Sequence, residues 1–417
     1  PMRLPKAVER TFGNGLRVMA VKRPGASLVE VRLRIPIVAT SRPGEAARDL
    51  FARTLTAGTK TRSQEDIDIE VRSIGATLTA HTNEDGLVIS GSVPTDRTAE
   101  YLSLVGEIVG TAAFPDAPVR VERNRFAEEV VLARSQPEVV AGEALRRRVF
   151  GRHPYGFGLP AASTVRRVTP GVLRETHETL TSHGMLTMVG DLAPGRLIDL
   201  VSSFRTRRRM PPGVPPVEWR RKPLLVVHRP GAQQTNIRMV GPAPRADAAF
   251  SLANLAFGGY FLSRLVTNLR EEKGFTYNVS SRIRHLRAVS SISISADVRS
   301  EVTGLAYAEI LSELERISTI EVEPDELDHA RRYSLGVLSI QAQTKAGFAD
   351  LLDSLLARGL DLAYLAGFQK EVASATKEDV LTAAAPFLTS RKLTTVMVGD
   401  ADRIVPMVEP FGSVVIR

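Results

Sequence analysis

The 417-residue chain has no cysteine, one tryptophan and only 6% aromatic residues. Without cysteine there is no disulfide framework, no thiolate metal site and no thiol nucleophile. No stretch approaches the roughly 18 consecutive apolar residues of a membrane-spanning helix, and the first ten residues lack the apolar segment of a secretory signal. These absences set the expectation of a cytoplasmic protein with no membrane association. No G-x-S-x-G elbow and no glycine-rich phosphate loop follows a strand-like segment, so neither a serine hydrolase nor a dinucleotide-binding crossover is expected. Histidine is scarce, and no two of the seven stand four residues apart. No helix therefore presents a paired-histidine metal site.

What is present is ordinary globular material, 43% hydrophobic and 24% charged, with length enough for two or more domains. The formal net charge of +9 raises the question of nucleic acid. The basic residues are mostly arginine and scattered, apart from dense runs at 205–209 and 220–222, and no nucleic-acid-binding motif accompanies them. No nucleic-acid partner is expected.

The organisation is a repeat. Val21-Lys22-Arg23-Pro24-Gly25-Ala26 returns 206 positions later as Val227-His228-Arg229-Pro230-Gly231-Ala232. Met188-Val189-Gly190-Asp191 returns 209 positions later as Met397-Val398-Gly399-Asp400. Two echoes at nearly one offset indicate a tandem duplication, with domains at 1–206 and 223–417 joined by a linker at 207–222. Residues 205–223 hold five prolines, which remove backbone donors and disfavour helix.

Alternation predicts strands over 16–21, 28–36, 86–93 and 290–298. Helical spacing predicts helices over 44–57 (stopping at Gly58), 119–134, 248–272 and 324–342. The expected class is α+β: two tandem homologous domains, each an antiparallel-rich sheet with helices packed on one face.

Residues 44–59, Ile74-Gly75-Ala76 with Ala80-His81-Thr82, the helix around Glu129 and the run from Phe150 to Gly156 together resemble the N-terminal domain of the pitrilysin/insulinase family. Gly258-Gly259, Ser263-Arg264-Leu265 and the run from Leu269 to Tyr277 resemble its C-terminal domain. Active members carry an inverted zinc motif, H-x-x-E-H, with a further glutamate downstream. Alignment on Gly58-Thr59 puts that motif on residues 49–53. The histidine positions then hold Asp49 and Arg53, and the catalytic base position holds Ala52. Glu129 alone keeps its ligand type. Arginine is never deprotonated in proteins, so an Arg53–Glu129 ion pair, joined by Asp49, is expected in the place of the cation, with His81 close to the site.

The family's C-terminal domain uses an arginine and a tyrosine seven residues later to face a zinc site across a chamber, which the resemblance assigns to Arg270 and Tyr277. Arg264 beside Ser263 is a weaker candidate, as readily structural as functional. The resemblance implies a non-catalytic subunit that binds peptide, without a cofactor of its own, beside a zinc-bearing homologous subunit. The alternative is a scaffold of the same fold with no role in proteolysis. Whether Arg270 and Tyr277 face open space or are consumed in packing discriminates the two.

Overall fold

A computed structural model describes residues 4–180, 183–201 and 213–417. The basic run at 205–209 and part of the proposed linker lie outside the described residues. Twelve strands are present among them: β1 (Ala7–Thr11), β2 (Arg17–Lys22), β3 (Leu28–Pro36), β4 (Thr79–Asn83), β5 (Gly86–Pro94), β6 (Met185–Gly190), β7 (Leu224–His228), β8 (Gln234–Pro242), β9 (Thr276–His285), β10 (Ser290–Arg299), β11 (Thr394–Gly399) and β12 (Val414–Ile416). They form two six-stranded sheets in the orders β1-β2-β6-β3-β5-β4 and β12-β7-β11-β8-β10-β9.

Superposing the orders puts β2 on β7 and β6 on β11, which are the strands that carry parts of the two sequence echoes. Both sheets are antiparallel along β6-β3-β5-β4 or β11-β8-β10-β9 and parallel between β2 and β6 or β7 and β11. They differ at one edge, where β1 is antiparallel to β2 and β12 is parallel to β7. The α+β class with two duplicated sheets is what the chain adopts.

The expectation of helices on one face describes only half of the packing. Even residues of β2, Val18 and Ala20, enter the core made with the N-terminal half's own helices, together with Leu50, Phe51 and Phe126. Strand side chains alternate between faces, so Met19 and Val21 point the other way. They meet Phe348, Leu352 and Leu356 of the Lys345–Ala357 helix, which comes from the C-terminal half. The exchange is reciprocal: Ala144 and Leu145 of the Pro137–Phe150 helix pack on Leu225, Val240 and Val396 of the C-terminal sheet. Each half thus covers the open face of the other's sheet. Polar contacts fix the register of this exchange. Arg32 pairs with Asp350 at 2.6 Å, and Arg34 pairs with Asp353.

Two helix predictions need correction. The first helix spans Arg42–Thr54, not 44–57. Ser41 caps it by accepting the Gly44 N–H at 3.1 Å, with Pro43 in the first turn. It ends before Gly58, which instead bridges to Ser63. The predicted helix over 248–272 is broken: an α-helix over Ala248–Asn254 passes into a π-turn over Leu255–Gly259, and a second π-turn spans Thr267–Glu272. The Gly258-Gly259 pair explains the break. A Cβ on Gly258 would lie 2.8 Å from Leu265 Cδ1 and from Ser281 Oγ of β9, so the turn packs against the strand only without a side chain there.

Leu352 is fully buried in the contact between the halves. Leu352→Ala is expected to lower stability by about 2–5 kcal/mol through the cavity it leaves. Denaturant unfolding should remain a single transition, because each half's sheet depends on the other's helix. Two separated transitions in the unaltered chain would contradict this packing.

Candidate functional site

The Arg42–Thr54 helix, the Asp116–Ser135 helix and the edge strand β4 enclose a cleft of 680 Å³. Asp49 and Arg53 are four residues apart and share the helix face toward it. On the facing helix Glu122, Phe126 and Glu129 form a stripe at i, i+4 and i+7. Arg53 reaches across to this stripe. Its Nη2 lies 2.8 Å from Glu129 Oε2, its Nη1 donates to Glu122 Oε1 at 3.1 Å, and its guanidinium stacks 4.2 Å over the Phe126 ring.

Asp49 does not join this group. Its Oδ1 accepts the Thr82 hydroxyl at 2.7 Å and lies 3.4 Å from Arg48. The reason is geometric: Thr82 on β4 and Arg48 next in sequence are nearer partners than an arginine already held by two glutamates. Glu129 is also more open than its expected role required. Its side chain is 46% exposed and that of Arg53 31%, so the pair is solvent-screened and contributes about 0.2–1 kcal/mol. His81 on β4 is exposed and lines the same cleft.

The residues do not fit zinc. Ala52 carries no group able to accept a proton. Arg53 puts a fixed positive charge where a cation would need a donor, and that charge is already neutralised by Glu122 and Glu129. Elsewhere among the described residues, His228, Asp400 and Asp402 bring ligand-type atoms within 4.8 Å of one another. There Nδ1 of His228 accepts the Ala401 N–H at 3.0 Å, and Asp400 accepts the N–H groups of Gly231 and Asp402. The group caps a helix start.

A charge network lining the cleft escaped the sequence reading. Buried Glu45 and Arg48 pair at 2.6 Å one turn from Asp49. Burial pushes the Glu45 carboxyl up to about 7 against the opposing pull of Arg48. Glu84, in the β4–β5 turn, receives Arg146 at 2.8 Å and Arg284 of the C-terminal half at 2.5 Å. Beside it Asp85 accepts the Tyr155 hydroxyl at 2.6 Å and the Arg287 N–H at 2.9 Å. These contacts tie the β4–β5 turn to the β9–β10 turn at the rim of the cleft. The i, i+3 spacing of Glu45 and Arg48 was a visible signal, whereas Glu84 and Arg284 are 200 residues apart.

In the C-terminal half the space that corresponds to the cleft, between β9 and residues 258–270, is a smaller groove of 220 Å³. Arg270 and Tyr277 both line it. Tyr277 is 93% exposed, and Arg270 is held by Glu271 at 3.2 Å and stacks 5.0 Å over Phe261. Gly274, at φ +60°, turns the chain from the second π-turn into β9 and so sets the spacing of the two side chains. Arg264 is buried and doubly bonded to Glu326 at 2.7 and 2.8 Å, a structural role.

Comparison with known proteins matches residues 49–161 to the insulinase (peptidase family M16) model and residues 168–334 to the peptidase M16 inactive-domain model. The first match holds Asp49, Ala52, Arg53 and Glu129, and the second holds Arg270 and Tyr277. An uncharacterized zinc protease of Mycobacterium leprae is 25% identical over 305 residues, 69% of this chain and 68% of that protein. Two solved structures share the fold. A peptidase M16 inactive domain from Pseudomonas fluorescens has a TM-score of 0.86 at 22% identity, covering 94% of this chain and 98% of that one. A protease from Helicobacter pylori has a TM-score of 0.81 at 19% identity, covering 95% and 100%.

Burial pushes the Glu84 carboxyl up, but Arg284 and Arg146 outweigh it and hold it at about 2, against an ordinary 4.5. A carboxyl depressed on folding stabilises the native state above the ordinary value, and the contribution is lost as the pH falls from about 4.5 to 2. Glu84→Gln should therefore cost about 2–3 kcal/mol at pH 7 and almost nothing near pH 2. Chemical denaturation across that window measures it, and a pH-independent difference would contradict the assignment.

Proposed function

The chain belongs to the insulinase/pitrilysin (M16) peptidase family, and on that premise we propose that it is a non-catalytic member. In this reading it completes the peptide chamber of a zinc-bearing homologous subunit. The observation that carries the proposal is a contrast between the two halves. The N-terminal cleft has Asp49, Ala52 and Arg53 where the family's metal ligands and base would stand, while Arg270 and Tyr277 line one open groove in the C-terminal half. A scaffold would have no use for a phenol left 93% exposed beside an arginine, so this exposure favours the helper subunit.

The chemistry asked of this chain is donation of hydrogen bonds. A guanidinium and a phenol aimed at a peptide bond can hold its carbonyl and stabilise the negative charge that develops on that oxygen during attack. Zinc and the activated water belong to the partner in this reading, and the chain carries no cofactor of its own. An extended peptide would gain main-chain hydrogen bonds from an exposed sheet edge. The edges at hand are β4 beside the cleft and β9 beside the groove.

The test is peptide cleavage in the presence of zinc, by this chain alone and mixed with a zinc-bearing homologue from the same source. Cleavage is expected only in the mixture. Arg270→Ala should lower kcat by about 10²–10³-fold, the usual loss for one such donor, and Tyr277→Phe should lower it by a smaller factor. Cleavage by the chain alone would contradict the proposal, as would a mixture indifferent to Arg270→Ala.

A further inference from the structure

The two corresponding spaces differ in chemistry. The N-terminal cleft is walled by charge, whereas the C-terminal groove is walled by Tyr260, Phe261 and Tyr277. The chain makes this wall by departing from regular helix. π-turns over Leu255–Gly259 and Thr267–Glu272 bracket residues 260–263 and push Phe261 and Leu262 outward, 57% and 59% exposed. Turns of this kind inside helices are rare and concentrate at functional sites.

Two adjacent large apolar side chains in water forgo the stabilisation that burial would bring. Phe261 and its neighbour Tyr260 are nevertheless held in place. The Arg270 guanidinium lies over the Phe261 ring, and Tyr260 rests 5.0 Å from Tyr333 on the Pro324–Gln341 helix. A wall fixed in this way is pre-organised for a ligand.

The opposite wall identifies the ligand class. Consecutive residues from Tyr277 to Arg282 line the groove, and they belong to β9, which pairs with β10 on one side only. The other edge presents main-chain donors and acceptors at strand spacing, complementary to an extended peptide. The charged side chains lining the groove are Arg270 and Arg282, with no carboxylate among the lining residues. A lysine or arginine of a peptide would meet like charge there.

We propose that the groove selects a large apolar or aromatic side chain of an extended peptide added along β9, seating it against Tyr260 and Phe261. The proposal rests on the reading of the chain as a peptide-binding subunit, and it adds the specificity of that subunit. Phe261 is a specificity residue: it sets which side chain is accepted, while Arg270 and Tyr277 serve the peptide backbone.

The test uses the full chain without any zinc-bearing partner. Fluorescence anisotropy would compare extended peptides that differ only in one central residue: phenylalanine, alanine or lysine. The phenylalanine peptide is expected to bind at least about tenfold more tightly than the other two. Phe261→Ala should remove that preference by weakening the phenylalanine peptide at least about tenfold more than the alanine peptide, and Phe261→Leu should retain most of it. Hydrogen exchange should slow at residues 277–282 when peptide binds. Equal weakening of all peptides by Phe261→Ala would overturn the proposal, as would binding without discrimination or no binding by a correctly folded chain. Loss of self-association in Phe261→Ala without peptide binding would also overturn it and make the groove a contact between copies. Discrimination with an inactive mixture would sink the helper-subunit reading alone, and an active mixture without discrimination would sink only this inference.

Discussion

Everything in this molecule hangs on a reciprocal exchange of cover between its halves. A six-stranded sheet has two apolar faces, and each half's own helices cover one. The second face of the N-terminal sheet is closed by Phe348, Leu352 and Leu356, and that of the C-terminal sheet by Ala144 and Leu145. Neither half has a complete core without the other. The same exchange brings the β4–β5 and β9–β10 turns together, where Glu84 meets Arg284. The rim of the charged cleft is therefore built from both halves.

Within this frame the two corresponding spaces have diverged. In the N-terminal half, Arg53 is clasped by Glu122, Phe126 and Glu129, and Arg125 pairs with the same two glutamates, so the acidic helix face is neutralised by guanidinium groups. The pair is too exposed to stabilise the fold much; its consequence is chemical, since Arg53 places a fixed positive charge where a metal would need a donor. In the C-terminal half, two π-turns replace regular helix and display Tyr260, Phe261 and Arg270 beside an open strand edge. The helper-subunit proposal rests on this contrast between the two halves.

Much of this was legible before any coordinates. The echo of Val21–Ala26 in Val227–Ala232 reports the duplication, because identical turns after equivalent strands need similar residues. The Asp49, Ala52 and Arg53 substitutions are readable because a helix motif fixes which residues share a face. Arg53 meets Glu129 for the same reason. The misses have a common cause. The partner of Asp49 is Thr82, a strand residue 33 positions away, and the Glu84–Arg284 pair joins a turn to the end of β9, 200 residues away. Periodicity carries no information on such contacts. The break in the predicted 248–272 helix was signalled by Gly258-Gly259, but apolar spacing on either side masked it. The exposure of Glu129 depends on tertiary packing alone.

The central claim is that the N-terminal cleft has exchanged a metal for an arginine. Calorimetric zinc titration of the unaltered chain beside the D49H/A52E/R53H variant addresses it directly. The account predicts no binding in the cleft of the unaltered chain, and one zinc in the variant that is lost again on Glu129→Ala. Zinc bound by the unaltered chain and released by Glu129→Ala would contradict it.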